Sequence, residues 1–239
     1  MAKRLVAATA LTLFGACLMA SYFLCAAAWK DLDTAVFYYF NACLVPGSWF
    51  TSLVAYTNMR IFDAVSFVCM GILYLHYFRQ RDNAGKRILV CIGLCMLLTA
   101  IVIKQCGGLI PIAHPSPTFT FEDVNRVSKM VAFTTKDADR NSFPGDHGMM
   151  LMIFAAYMAR YFGRRAFAAA VLIVAVFAMP RILSGAHWFS DVYMGSLSIA
   201  CMAVSWVLLT PASDWCAAKL EKLLPRWFFP PGGTGMFGR

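Results

Sequence analysis

The residues able to do chemistry gather in two short segments of this 239-residue chain. The first is Arg181-Ile-Leu-Ser-Gly-Ala-His187-Trp-Phe-Ser-Asp191. His187 and Asp191 are four apart, so on a helix they share a face and come within hydrogen-bonding reach. A carboxylate on one imidazole nitrogen fixes the tautomer and leaves the other nitrogen free as a nucleophile. Arg181 adds a planar fork of donors suited to phosphate oxygens, and Gly185 permits a tight turn between arginine and histidine. The plainer alternative is a buried His–Asp pair with a snorkelling arginine. Ionisable groups at membrane depth are costly and usually functional, which weighs against it.

The second segment, Ser142-Phe-Pro-Gly-Asp-His147-Gly, opens a long apolar run. Pro144 ends an extended stretch, and Asp146 is expected to N-cap the following helix. His147 then falls in the first turn, beside unpaired backbone N–H groups that favour an anion. There it can protonate a leaving oxygen as general acid. Three of the four histidines (His114, His147, His187) lie in the polar stretches around these motifs. His76, flanked by tyrosines, is explained by interfacial anchoring.

The elements that must carry these segments are membrane helices. Hydrophobic residues make up 60% of the chain and charged ones 14%, with mean hydropathy +0.64. Soluble domains are nearer half apolar and a quarter charged, so a water-soluble globule is excluded, as are disordered and coiled-coil classes. Spans of roughly 20 apolar residues are expected at Leu5 to Trp29, Ile61 to Phe78, Ile88 to Ile103, Gly148 to Phe162, Ala166 to Pro180 and Asp191 to Leu209. The fold class is therefore an all-α polytopic membrane protein with six transmembrane helices. The apolar stretch Thr34 to Tyr56, broken by Pro46 and Gly47, reads as an interfacial or re-entrant piece. Residues 1–227 form one domain and residues 228–239 a flexible tail. The N-terminal apolar run exceeds a signal peptide's, so it reads as an uncleaved anchor.

Charge orients the spans. Thirteen basic residues fall on one side against three acids (Asp82, Asp214, Glu221), while the other side carries eight bases and nine acids. Basic excess marks the cytoplasmic face, so the net charge of +9 reflects topology and calls for no nucleic acid. Both histidine motifs then face the opposite compartment. Nine cysteines sit mostly within spans and read as apolar filler, without Cys-x-x-Cys spacing or a Cys/His ligand set.

The pattern Arg181-x5-His187-x3-Asp191 resembles the third signature of the type-2 phosphatidic acid phosphatase superfamily. Ser142 to His147 is similar to its second, usually Pro-Ser-Gly-His, with Gly145 for serine and Asp146 for glycine. The first, normally Lys-x6-Arg-Pro, is degraded. His114-Pro115 stands for Arg-Pro, and Gly107 stands where the lysine would be, with Lys104 nearest. The resemblance implies a six-helix core, no metal or other cofactor, and a phosphohistidine on His187. It also implies that His147 is the general acid, that Asp191 orients His187 and that Arg181 holds the phosphoryl group. Lys104, His114, Lys136 and Arg140 are the further candidates for phosphate contact, with Arg126 and Lys129 as possible substitutes or solvated loop charges.

The wider run from about residue 32 to 214 looks like one subfamily, the lipid A 1-diphosphate synthases of Gram-negative inner membranes. It includes Ala55-Tyr-Thr-Asn58, Phe62-Asp63, Lys136-Asp-Ala-Asp-Arg140 and Trp206-Val-Leu-Leu-Thr-Pro211. The implied reaction moves the terminal phosphoryl group of undecaprenyl diphosphate to the 1-phosphate of lipid A at the periplasmic face. Hydrolysis by the same intermediate, as an undecaprenyl diphosphate or lipid A phosphatase, is the competing reading. A non-catalytic transporter or assembly subunit is the remote one, since a transporter would more often place ionisable residues along spans near the midplane.

Overall fold

The computed structural model describes residues 1–108, 114–225 and 229. Apart from Phe229, the proposed tail lies outside them. Ten helices follow in chain order: α1 Ala2–Leu24, α2 Ala26–Ala42, α3 Trp49–Thr57, α4 Arg60–Arg79, α5 Asn83–Gly108, the single turn α6 Pro117–Thr120, α7 Asp146–Phe162, α8 Arg164–Leu183, α9 Asp191–Leu209 and α10 Ala212–Leu223. The described residues contain no strand. Lipid can hydrogen-bond no exposed backbone, so a bundle of helices that satisfy themselves is the expected solution.

Five of these helices (α1, α4, α5, α8, α9) are long and apolar enough to cross a membrane. The sixth expected span, α7, has 17 residues and falls just short by length. The chain is a multi-pass membrane protein. The first span is shorter than expected: the helix breaks at Cys25, whose φ −118 and ψ 39 are not helical, and Ala26 begins α2. Pro46 and Gly47 lie in the break between α2 and α3, with Gly47 at φ +79.

The core forms where α5, α7 and α9 meet, through Ile88, Ile92, Ile103, Met149, Ile153, Tyr157, Val204 and Leu208. Thr99 and Tyr157 pair their hydroxyls there at 2.8 Å, which removes the cost of burying them. A second cluster (Leu151, Phe177, Ile182, Val192) joins α7 to α8 and α9. Helix α1 approaches α9 closely at Gly15, where a Cβ would sit 2.7 Å from the Ser198 carbonyl oxygen. Small residues permit such approach where lipid provides no hydrophobic drive. Large apolar side chains of α1 and α4, among them Leu13, Phe14, Phe67 and Ile72, are exposed, as lipid-facing surface should be.

Candidate active site

The site is assembled at the C-terminal end of α8 and the N-terminal ends of α7 and α9. Helix α8 ends in a Schellman turn. The Gly185 amide donates to the Ile182 carbonyl (3.0 Å), and the Ala186 and His187 amides both donate to the Arg181 carbonyl (3.0 and 3.1 Å). Gly185 supplies the left-handed residue this turn needs, at φ +74. The spacing from Arg181 to His187 is therefore a helix-ending device: it seats the histidine backbone on the arginine's own carbonyl.

His187 lies in this turn, before α9 begins, so the helical i,i+4 geometry expected for His187 and Asp191 is not what joins them. Phe189 and Ser190, just ahead of α9, are already helical, and Asp191 reaches back to accept the Trp188 amide at 2.8 Å, as an acid at the third helical position does. The next free amide, Ser190 N–H, donates to Asp33 of α2 at 2.8 Å, and the Ser190 hydroxyl donates to the other Asp33 oxygen at 2.5 Å. Burial raises the Asp33 pKa, and these two hydrogen bonds only partly offset that rise.

His187 is buried, with Nδ1 at 2.9 Å from the Ser142 carbonyl oxygen and 3.5 Å from Asp191 Oδ2. A carbonyl only accepts, so Nδ1 carries the hydrogen and Nε2 presents its lone pair. Backbone from the second motif, more than the carboxylate, thus sets the tautomer. Among the described residues Nε2 has no hydrogen-bond partner. The second motif is clamped to α9: Gly145 N–H donates to the Asp191 carbonyl (3.1 Å), and the Ser196 hydroxyl donates to the Gly145 carbonyl (2.8 Å). The first turns of α9 are π-helical, a form that often marks functional sites. The Phe143–Pro144 peptide is cis.

His147 stands in the first turn of α7, as expected. Asp146 does not cap that helix. Gly145 occupies the cap position, and Asp146 pairs with Lys104 at 3.3 Å on the surface. His147 Nδ1 is 3.9 Å from Asp63 Oδ1. Its Nε2 is buried and, among the described residues, has no hydrogen-bond partner. His147 lies within electrostatic reach of Asp63, Arg181, His187 and Lys136.

Arg181 is buried and anchored. Its Nη2 donates to both oxygens of Asp63, at 2.6 and 2.8 Å, and Nη1 lies 3.5 Å from Asn58 Oδ1. Asn58 is held in turn by its amide's bonds to the Val54 and Pro180 carbonyls, both 2.9 Å. Among the described residues Nε and the remaining Nη1 hydrogen have no hydrogen-bond partner. Asp63 and Asn58 entered the sequence reading only within the wider resemblance, without a role. An acid inside the apolar run Ile61 to Phe78 was the signal that could have singled out Asp63.

The other candidate cations are spread. Lys136 pairs with Asp139 at 2.7 Å, Arg126 pairs with the buried Asp137 at 3.1 Å, and Arg140 and Lys129 are exposed. His114 comes to Asp191 instead: its Nδ1 is 2.8 Å from Asp191 Oδ1 and its Nε2 is 3.1 Å from the Tyr22 hydroxyl. Beside His114 opens a cavity of about 520 Å³, walled by Tyr22, Phe23, Lys30, Phe121 and Trp188 among others. Among the described residues, no group of three His, Cys, Asp or Glu side chains is placed to hold a metal ion.

A profile of the PAP2 superfamily matches residues 88–215. Lipid A 1-diphosphate synthase of Escherichia coli (strain K12) is 50% identical over 198 residues, covering 82% of this chain and 84% of that protein. The crystal structure of a transmembrane PAP2-type phosphatidylglycerolphosphate phosphatase from Bacillus subtilis aligns with 92% of this chain and 98% of its own, at 14% identity and a TM-score of 0.42.

Proposed function

The chain belongs to the PAP2 superfamily, and from that premise we propose that it transfers the terminal phosphoryl group of undecaprenyl diphosphate to the 1-phosphate of lipid A. The observation that carries this reading is His187, which keeps Nδ1–H on a backbone carbonyl and Nε2 open, on a chain half identical to a lipid A 1-diphosphate synthase. In the first step His187 Nε2 attacks the terminal phosphorus. The bond from phosphorus to the bridging oxygen breaks, and that oxygen leaves on undecaprenyl phosphate with a proton from His147. In the second step an oxygen of the lipid A 1-phosphate attacks the phosphohistidine, with His147 taking back any proton. The N–P bond breaks, its electron pair returns to Nε2, and lipid A 1-diphosphate departs.

Such transfer depends on positioning and on stabilising charge. Arg181, braced by Asp63, serves the equatorial phosphoryl oxygens. Asp191 stabilises the imidazolium that forms when Nε2 is phosphorylated. Lys104, Lys136 and Arg140 attract the anionic head groups from the rim, and His114 acts behind Asp191. The apolar lining of the cavity beside His114 suits a lipid chain. The site faces the periplasm of a Gram-negative inner membrane, where donor and acceptor are both displayed.

The test is product analysis with purified protein and donor lipid labelled in the terminal phosphate. With lipid A present the label should appear on lipid A, and without it little inorganic phosphate should form. Rapid phosphate release regardless of lipid A would make the protein a phosphatase, and neither product would make it non-catalytic. Orientation is tested separately in a cysteine-free background. Cysteine at exposed Glu122 should react with an impermeant thiol reagent on spheroplasts, and cysteine at exposed Asn83 only after lysis. The reverse pattern would move the site to the cytoplasm and remove the substrate assignment.

A further inference from the structure

The two oxygens of the Asp191 carboxylate face two different histidines. Oδ2 lies 3.5 Å from His187 Nδ1, whereas Oδ1 lies 2.8 Å from His114 Nδ1. Asp191 is fully buried, and the described side chains with hydrogens to offer it are these two imidazoles, since its third close partner is the Trp188 amide. A carboxylate accepts, so His114 Nδ1 donates. Its ring is fixed on every side that matters: it stacks on Trp188 with centroids 5.6 Å apart and planes at 26°. Tyr22 meets Nε2. The His114 carbonyl accepts both the Ser142 amide (2.8 Å) and the Ser142 hydroxyl (2.7 Å). Ser142 is the same residue whose carbonyl holds His187 Nδ1. His114 and His187 are thus tied to one another twice, through Asp191 and through Ser142.

We propose that His114 is a positioning residue that acts through Asp191, holding the carboxylate at the distance from which it stabilises phosphorylated His187, and does not itself bind the substrate phosphate. This rests on the reading of Asp191 given above. Without the His114 bond the carboxylate would be held by the Trp188 amide at Oδ2 alone and could turn about that contact, losing its line to His187. Outer partners of this kind typically tune a site by roughly 10- to 100-fold.

A double-mutant cycle separates the two roles for His114, because residues acting as one unit lose activity non-additively. His114→Phe keeps the ring and its stack on Trp188 but removes the donor; His114→Asn keeps a donor where Nδ1 was. In the wild-type background His114→Phe should lower kcat by about 10- to 100-fold with KM for the donor lipid nearly unchanged. His114→Asn should recover most of that loss. In an Asp191→Asn background the same His114→Phe change should cost less than about twofold. Equal losses in both backgrounds, or a raised KM for the donor with kcat preserved, would overturn the proposal and make His114 a direct phosphate contact. Near-normal turnover by Asp191→Asn alone would overturn the reading of Asp191 itself. Each variant is checked for a single monodisperse peak in detergent; if His114→Phe fails that check, the cycle is run with His114→Leu.

Discussion

Helices α7 and α9 carry polar clusters at both ends, and the two ends are built to opposite standards. At the end away from the site, Arg160 donates to Asp214 (2.8 Å) and to the Leu208 carbonyl (2.9 Å), while the Tyr161 hydroxyl meets Ser213 and Asp214, each at 2.8 Å. Nearby Arg87 caps the C-terminus of α10 through the carbonyls of Glu221, Leu224 and Pro225, where a cation meets the helix dipole favourably. At the site end His147 Nε2 is buried without a partner among the described residues. His187 Nε2 is likewise open there, and Arg181 keeps donors in reserve. Natural proteins rarely leave buried polar atoms unpaired. The closed cluster staples helices together, and the open one leaves a donor and lone pairs available to a ligand.

The sharpest way to break this contrast is to remove the proposed nucleophile. His187→Ala should lower phosphoryl transfer by more than about 10³-fold with the protein still inserted and monodisperse in detergent. Acid-labile, alkali-stable label should appear on wild-type protein and vanish from the variant. Transfer near the wild-type rate would show that the open nitrogen has no covalent role.

Gly185→Ala comes next, because it strikes the turn that joins Arg181 to His187. A Cβ there would lie 2.7 Å from a Phe37 ring carbon and 2.8 Å from the Thr118 methyl, at a φ that L residues avoid. The combined backbone and steric cost is about 2–4 kcal/mol. Thermal unfolding in detergent should show that loss, together with a large drop in kcat. Unchanged turnover in a destabilised variant would mean that the site tolerates a displaced His187.

The opposite cluster should respond in the opposite sense. Arg160→Ala leaves Asp214 short of its charged partner, and hydrogen bonds to charged groups are worth about 1.5–3 kcal/mol. Stability should fall by that order while kcat at a permissive temperature stays within about twofold of wild type. A selective loss of kcat would show that the staple communicates with the site.

The smallest effect concerns the rim. Burial alone would raise the Asp139 pKa, but the hydrogen bond and charge of Lys136, with the Asn141 amide and nearby His187, outweigh it and hold the carboxyl below its usual range. The folded state therefore favours the charged form. Its contribution to stability is complete above the ordinary carboxylate pKa and is lost as pH falls through and below it. Melting temperatures between about pH 3 and 6 should fall less steeply toward acid in Lys136→Ala than in wild type. Parallel curves would show that the rim pair is too solvated to count.

Much of the architecture follows from composition and period. The apolar runs located the spans because a bilayer asks for length and hydrophobicity, properties that a linear string displays. Pro46 and Gly47 marked the interruption between α2 and α3 for the same local reason. The Arg181 to His187 to Asp191 motif was legible as well, since its spacing is set by one helix ending and another beginning within 11 residues. Local reasoning went astray where it stopped at one element. It placed His187 on the same helical face as Asp191, made Asp146 a cap, and ran the first span through Cys25 to Trp29.

What the sequence determined by itself, then, is that this chain crosses a membrane several times and gathers histidine, aspartate and arginine on one face. Only the tertiary structure decided which atoms meet. Asp63 comes from α4 to brace Arg181, Asp33 from α2 to satisfy Ser190, Ser142 offers a carbonyl to His187, and His114 turns to Asp191. Each of these partners is 45 to 157 residues away along the chain, and no helical period links them. They are selected largely by the need to pair buried donors and acceptors where lipid offers none, a condition that can be settled only when all the helices are in place.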